Sequence, residues 1–330
     1  MGTAAETMPS WRTIESVVAS ACRAPSLHNS QPWRWVLEPE GLTLSSDPDR
    51  ILPATDSFGR QMVVSCGAAL NHLKYALLEH HWDSVIERMP HSANRECLAT
   101  VAFTPTAEVS ESEISMATAI ARRYTERLPM SAPTSWDDTL AQVTELAERA
   151  GTHVEDIGDR ARPALEAMSL RLRGLRRENP VYQAELRWWA GHALYPDGIP
   201  SAALPAAPPG TVPVGREFPP GTATCDPGDL EDRAAILVLT TGSDSRLNWL
   251  RCGEALSALL LACTARGLGT CPVTHMTELG ETRTRVGELL EGDGLPQVLI
   301  RVGIGPRAEP LSTTPRRPLS EVLFRDRSEA

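Results

Sequence analysis

The spacing of apolar residues predicts alternating helices and strands along most of the chain. A first helix is indicated by four apolar residues at intervals of three and four, Ile14, Val17, Val18 and Ala21. The run from Trp33 to Leu37 is typical of a strand. A polar segment with two prolines separates the two, so we expect a fixed loop where a helix passes into a sheet.

A helical region is predicted in the middle of the chain. Ser110-Glu111-Ser112-Glu113 has the form of a capping box, which indicates a helix start. A second helix is expected from Ser135 to Ala150, with Gly151 as its C-terminal stop. Further helices are expected at residues 159–178 and 181–190.

A five-residue pattern occurs twice, about 190 residues apart. The two copies share the form CGxAL, and each opens a segment with helical spacing. The copies are Cys66-Gly67-Ala68-Ala69-Leu70 and Cys252-Gly253-Glu254-Ala255-Leu256. Each is followed by a strand-like run, at Cys97 to Thr104 and at Val298 to Ile304. Five residues can match by chance, but the repeated order of helix and strand favours duplication. We therefore expect two similar units, at residues 1–108 and 109–330.

The stretch from Ala190 to Gly228 differs in composition from the rest of the chain. Nine of its 39 residues are proline and six are glycine, which disfavours a regular helix or strand. A compact domain rarely carries so long an irregular segment unless that segment covers a site or is disordered. Five nearby apolar residues could anchor it, Trp188, Trp189, Tyr195, Ile199 and Leu204. We expect a docked lid at residues 190–228 rather than a free linker.

Composition and charge exclude several classes of function. The net charge of −10 disfavours nucleic acid as a partner. No run of eighteen apolar residues occurs and the start of the chain lacks the pattern of a secretory signal, so no membrane association and a cytoplasmic location are expected. The seven cysteines show neither CxxC nor CxxH spacing, so no metal site or disulfide framework is predicted. Lys74 is the only lysine, so a phosphate site would be built from arginine.

The loop between the first helix and the first strand carries candidate ligand groups. The side chains of Ser26, Asn29 and Gln31 can each donate and accept hydrogen bonds. Such groups suit a planar heterocycle that carries carbonyl groups and ring nitrogens. The same residue types also form ordinary capped turns, so chemistry alone leaves both interpretations open.

A second candidate follows the helix that begins near Ser110. Arg123, Thr125 and Arg127 alternate along the chain, and on an extended segment they would place three donors on one side. That arrangement suits a phosphate dianion. A solvated basic end of the preceding helix would explain the same residues.

The loop resembles the Pro-Ser-x-x-Asn-x-Gln-Pro-Trp segment of the FMN-dependent nitroreductase family. In that family the segment reaches a flavin site formed by two subunits. The resemblance implies that FMN is the cofactor. It implies flavin contacts for four residues of the loop, Pro25, Ser26, Asn29 and Gln31.

The remaining motifs of that family have counterparts here. The Arg123-to-Arg127 segment resembles the Arg-x-Ser-x-Arg/Lys motif that holds the FMN phosphate, with threonine in place of serine. Arg316, in the extended segment at residues 310–330, resembles the arginine by which the family's C-terminal segment reaches the phosphate. Pro272, Val273 and Thr274 correspond to the segment beside the reactive face of the flavin ring. Many relatives carry an acidic residue and a glycine where this chain has Thr274 and His275.

The resemblance implies a fold and a function. The fold is α+β and nitroreductase-like, with two tandem units of mixed sheet and helix that form a pseudo-dimer within one chain, as in the Acg-like branch of the family. The function is hydride transfer from NAD(P)H to flavin N5 and onward to a nitroaromatic, a quinone or a similar small-molecule acceptor, with the fused chain acting as a monomer. No catalytic side chain is singled out. Two alternatives remain, storage of FMN under a lid that excludes nicotinamide, and a specialised biosynthetic flavin dehydrogenase.

Overall fold

Two sheets and two long central helices organise the chain in this computed structural model, which describes residues 8–192, 197–206, 211–223, 230–306 and 312–326. The described helices are α1 (Trp11–Ala21), α2 (Arg60–Leu78), α3 (Glu111–Arg122), α4 (Trp136–Arg149), α5 (Gly158–Arg177), α6 (Pro180–Trp189), α7 (Arg246–Ala265), α8 (Gly280–Gly287) and α9 (Leu319–Val322). The described strands are β1 (Trp33–Glu38), β2 (Gly41–Ser46), β3 (Trp82–Arg88), β4 (Cys97–Pro105), β5 (His153–Asp156), β6 (Ala190–His192), β7 (Ile199–Pro200), β8 (Ala235–Thr241), β9 (Gly269–Val273), β10 (Leu295–Gly303) and β11 (Leu323–Arg325). The helices and strands expected from the apolar spacing are all present.

The first sheet joins the two ends of the chain. Its strand order is β11-β1-β2-β4-β3, and the neighbours from β1 to β3 are antiparallel. The C-terminal strand β11 lies parallel to β1, with Leu323 opposite Trp35. Trp35 is fully buried, so this pairing closes one edge of a packed sheet.

The second sheet carries the segment that was predicted to lie beside the reactive face of the flavin ring. Its strands are antiparallel in the order β5-β8-β10-β9, which leaves β9 at one edge. Gly267 ends α7 with a φ of +77° that glycine adopts without strain, and the Leu268 amide donates to the Cys263 carbonyl (2.9 Å). This tight stop turns the chain directly from α7 into β9.

Helices α2 and α7 cross at the two CGxAL segments. A Cβ atom on Gly67 would lie 2.0 Å from the Leu250 carbonyl oxygen, and one on Gly253 would lie 2.0 Å from that of Val64. Each glycine therefore faces the carbonyl three residues before the other glycine. A two-fold axis produces this reciprocal contact. The division into two fused units stays a prediction.

The described part of the predicted lid packs on α6. Trp189, Ile199 and Leu204 are buried, and the last two pack with Tyr182 and Leu186. Trp188 differs from the expectation, because 65% of its surface is exposed. Tyr195 lies outside the described residues. The segment also contains the short parallel pair β6 and β7, which its proline content did not predict.

None of the helices described here combines the length and apolar character that crossing a membrane requires.

Candidate functional site

A cavity of about 250 Å³ lies where the α1–β1 loop, the segment after α3, the end of β9 and the lid meet. Roughly 10–15 Å³ of such space holds one water molecule, so this is far larger than a packing gap. Its lining includes ten of the eleven predicted site residues, Pro25, Ser26, Asn29, Arg123, Thr125, Arg127, Pro272, Val273, Thr274 and Arg316. Motifs separated by up to about 290 residues in the chain therefore meet at one place.

Gln31 is the predicted site residue outside that lining. Its side chain is fully buried, donates to the Asn29 carbonyl (3.3 Å) and accepts from the Arg317 amide (2.9 Å). Gln31 therefore holds the α1–β1 loop against the C-terminal segment. The Ser26 hydroxyl stabilises the same loop by accepting from the Gln31 amide (2.9 Å).

The α1–β1 loop has an unusual backbone. His28, Asn29 and Gln31 all have φ between +50° and +56°, a region in which each non-glycine residue costs roughly 1–2 kcal/mol. Asn29 offsets this with its side chain, which donates to the carbonyls of Gly198 (2.8 Å) and Pro315 (3.0 Å). The loop is therefore tied to the lid and to the C-terminal segment at once.

The carbonyl end of α1 orients two of the predicted phosphate arginines. Arg316 donates to the carbonyls of Cys22 (2.8 Å) and Arg23 (3.1 Å). Arg123 donates to the same Arg23 oxygen (3.2 Å). Carbonyl groups after the last turn of a helix lack helical partners and favour cations. The two guanidinium groups are consequently held side by side in the cavity wall.

Arg123 has unmet hydrogen-bonding capacity. Its side chain is buried, and Nε and Nη1 have no hydrogen-bond partner among the described residues. The pKa of Arg123 is lowered to about 9, chiefly by burial and then by neighbouring guanidinium charges, first that of Arg316. Burial also lowers the pKa of Arg316 to about 10. An anion between these groups would counteract both shifts, because a nearby negative charge stabilises the charged guanidinium.

The alternation predicted for Arg123, Thr125 and Arg127 is present in the structure. Thr125 forms a parallel bridge with Thr270, and the Glu126 amide donates to the Thr270 carbonyl (2.8 Å), so the segment runs extended beside β9. Arg127 lies over the ring of Phe218, 5.5 Å from its centre. Because the segment is extended, its three alternate side chains all reach the cavity.

The end of β9 forms another part of the cavity wall. Val273 pairs with Leu299 of β10, which fixes the register of this edge strand. Thr274 follows at once, and its hydroxyl donates to Glu278 (2.9 Å) and accepts from Arg216 (3.1 Å). Arg216 and Glu278, which no motif had indicated, therefore hold the Thr274 hydroxyl in place at the end of β9.

Residues 216–220, here called the strap, line the cavity. Arg216 at its start donates to the Tyr182 hydroxyl (2.8 Å) and forms an ion pair with Glu278. Glu278 also pairs with Arg176 (3.2 Å), and only 1% of its side chain is exposed. A buried carboxylate shared by two guanidinium groups is costly to break, so it fastens the strap to the body of the protein.

The Nitroreductase family model matches residues 88–305 of this chain, which is more than half of it. The chain belongs to the nitroreductase family. The Mycobacterium tuberculosis (strain H37Rv) protein named "Putative NAD(P)H nitroreductase acg" is 42% identical over 322 residues, covering 96% of this chain and 97% of that protein. "Putative NAD(P)H nitroreductase Rv3131" of the same strain is 38% identical over 320 residues, covering 96% and 92%.

A solved structure resembles this nitroreductase in fold. The crystal structure of "a putative nitroreductase" from Anabaena variabilis aligns over 90% of both chains with a TM-score of 0.52. Only 9% of the aligned residues are identical, so the likeness concerns the fold alone. It agrees with the predicted α+β nitroreductase-like architecture.

The residues of the cavity wall that were not predicted as site residues include His28, Arg216 and Phe218. His28 is buried edge-on to Phe218 at 5.7 Å, and its Nε2 has no hydrogen-bond partner among the described residues. Burial, followed by the charge of Arg216, lowers the pKa of His28 well below its ordinary value, so the ring is neutral. His28 lies inside the recognised motif and could have been suspected. Arg216 and Phe218 belong to the lid and reach the cavity only because of how the lid folds, which local sequence does not indicate.

The cavity offers little acid–base chemistry of its own. Burial raises the pKa of Cys271, the cysteine in its wall, which keeps the thiol protonated at neutral pH. Within the ranges that the structure describes, no group of three His, Cys, Asp or Glu side chains could hold a metal ion. The crowded guanidinium groups make the cavity suited to holding an anion.

Proposed function

We propose that this nitroreductase binds FMN in the cavity and uses it to pass electrons from NAD(P)H to a nitroaromatic, a quinone or a similar acceptor. The observation that carries the proposal is the buried Arg123 guanidinium, whose Nε and Nη1 lack partners beside Thr125, Arg127 and Arg316. A buried unsatisfied donor costs about 1–3 kcal/mol, and more when charged. A phosphate dianion would satisfy these donors and neutralise the crowded charges.

The residues of the cavity fit the rest of FMN as well. Pro272, Val273 and Thr274 would lie beside the ring, and Ser26 with the loop around it would line its polar edge. The bound flavin supplies the hydride and electron transfer, for which the protein need not provide an acid or a base. The chain's own residues hold the phosphate, orient the ring and, through the strap, exclude water. The names of the two mycobacterial relatives support NAD(P)H as the reductant.

The proposal is tested on the purified chain in two steps. Heat release followed by chromatography of the supernatant is expected to yield FMN at about one molecule per chain. Addition of NADPH or NADH without oxygen is then expected to bleach the flavin absorbance, and a nitroaromatic or quinone to restore it. A chain that purifies without flavin and takes none up would contradict the cofactor, and bleaching by dithionite alone would contradict the oxidoreductase function.

Storage of FMN is the second candidate, and the strap favours it. Phe218 and its neighbours form part of the cavity wall, and the strap is held by the buried pair of Arg216 with Glu278. If the strap excludes nicotinamide, the bound flavin would be retained but not turned over. The strap is therefore the feature that separates the two candidates.

Glu278→Gln is expected to loosen the strap, because it leaves Arg176 and Arg216 without their shared carboxylate. For an enzyme, NAD(P)H bleaches the flavin in the unaltered chain. For a storage protein, bleaching appears only in Glu278→Gln. Glu281→Gln is the matched control, since Glu281 pairs with exposed arginines outside the cavity and should change neither result. Stopped-flow absorbance under nitrogen measures the rate at which NAD(P)H bleaches the flavin in the unaltered chain and in each variant.

A further inference from the structure

A second cavity, of about 300 Å³, lies beside the strap against α5 and α6. Residues 216–220 form part of the lining of both cavities, so the strap is the partition between them. The lining contains five arginines, Arg173, Arg176, Arg177, Arg187 and Arg216. No motif of the sequence analysis had indicated this cavity.

The second cavity keeps a positive charge after its ion pairs are counted. Glu278 pairs with Arg176 and Arg216, and Glu217 pairs with Arg177 (3.1 Å). Five guanidinium groups thus meet two carboxylates, in a protein whose net charge is −10. Such a local excess of one charge inside a concave surface concentrates ions of the opposite sign.

Arg173 indicates the class of ligand that suits the second cavity. It lines both cavities, and its buried Nε has no hydrogen-bond partner among the described residues. In the described part of the chain neither Arg173 nor Arg187 forms an ion pair. Guanidinium groups bind phosphate oxygens by paired hydrogen bonds, which makes arginine the usual partner of a phosphate monoester.

The position of the second cavity favours one kind of phosphate ligand. Arg216 lines it and also bonds to Thr274, on the wall where a nicotinamide ring would approach the flavin. Because Arg173 and Arg216 line both cavities, a dinucleotide with its nicotinamide at this wall would extend toward the second cavity. Arginine beside the adenosine ribose accommodates the 2′-phosphate of NADPH, whereas an acidic residue would select the free hydroxyl of NADH.

We propose that the second cavity binds the 2′-phosphate of NADPH and makes NADPH the preferred reductant. The inference rests on the proposed function, because it assumes that a nicotinamide dinucleotide approaches the flavin cavity. It goes beyond that function by choosing NADPH over NADH and by naming the residues that make this selection. Arg173 is the inner contact of the phosphate, and Arg177 with Arg187 form the outer rim.

The test compares the binding of two nucleotides to the flavin-loaded chain by calorimetry. Adenosine 2′,5′-bisphosphate carries the 2′-phosphate, and adenosine 5′-monophosphate does not. The bisphosphate is expected to bind at least about tenfold more tightly, because each charge-assisted contact to phosphate is worth at least that factor. Arg173→Gln, and separately Arg177→Gln with Arg187→Gln, should abolish the difference. The flavin content should stay unchanged in the chain with Arg177→Gln and Arg187→Gln, because neither residue lines the first cavity.

Arg171→Gln is the matched control, since it removes the same charge from α5 at an exposed ion pair outside the cavity. It should leave the ratio of the two affinities unchanged. Equal binding of the two nucleotides, or an equal loss of binding in Arg171→Gln, would overturn the proposal. So would displacement of the bisphosphate by inorganic phosphate at the same concentration, because the site would then recognise free phosphate alone.

The outcomes separate this inference from the proposed function. If neither NADPH nor NADH bleaches the flavin, the proposed oxidoreductase function fails, and the ratio of nucleotide affinities still decides the anion site. If both bleach it at equal rates and the nucleotides bind equally, the function stands and the inference fails.

Discussion

A chain in which Arg123 and Arg127 are both alanine is expected to purify without FMN and to keep its fold. Each guanidinium offers charge-assisted hydrogen bonds worth about 1.5–3 kcal/mol. Loss of two such groups therefore weakens binding by a factor of roughly one hundred or more. The fold should tolerate the change, because the side chain of Arg123 is buried beside other cations and makes one hydrogen bond within the described protein, to the Arg23 carbonyl.

The measurement is the ratio of flavin to protein absorbance after dialysis, followed by titration with FMN. Arg122→Ala is the matched control, because Arg122 adjoins Arg123 in the chain but is exposed at the end of α3. It should retain flavin at the level of the unaltered chain. Full flavin content in the double variant would refute the assignment of the phosphate site to this segment.

The second large effect is expected at the crossing of α2 and α7. Gly67→Ala and Gly253→Ala would each place a Cβ atom 2.0 Å from a backbone carbonyl oxygen of the other helix. The helices must then move apart, which we expect to lower the free energy of unfolding by about 3 kcal/mol or more. Both variants should lose similar amounts, because the contact is reciprocal.

Thermal and urea unfolding measure this loss. Gly174→Ala in α5 is the control, because nothing lies within 4 Å of the position where its Cβ would stand. Alanine there should raise stability by roughly 0.5–1 kcal/mol, since glycine is the poorer helix former. A wild-type melting temperature for both central variants would show that the helices pack less closely than this crossing implies, and it would weaken the case for two fused units.

The features predicted from the sequence are those that a short stretch of chain determines by itself. The capping box at Ser110 and the alternation from Arg123 to Arg127 depend on neighbouring residues, and both are present as expected. The meeting of the α1–β1 loop with this segment came from the family resemblance. It could not follow from local spacing, because about a hundred residues separate the two.

The features that were missed depend on contacts between distant parts of the chain. Arg216 acquires its role only when the strap folds back on Glu278, 62 residues later. The left-handed backbone of His28 and Asn29 is stabilised by the lid and the C-terminal segment, so the loop sequence alone does not indicate it. The second cavity exists only between elements that have already packed.

The C-terminal segment has a consequence for how the protein matures. Arg316 stands in the cavity wall, the Arg317 amide holds Gln31, and β11 closes the first sheet beside β1. The α1–β1 loop thus depends on partners that are translated nearly 300 residues after it. The wall of the cavity is therefore incomplete until translation has passed β11, and a chain cut short before Arg316 would lack one of the arginines proposed to hold the phosphate.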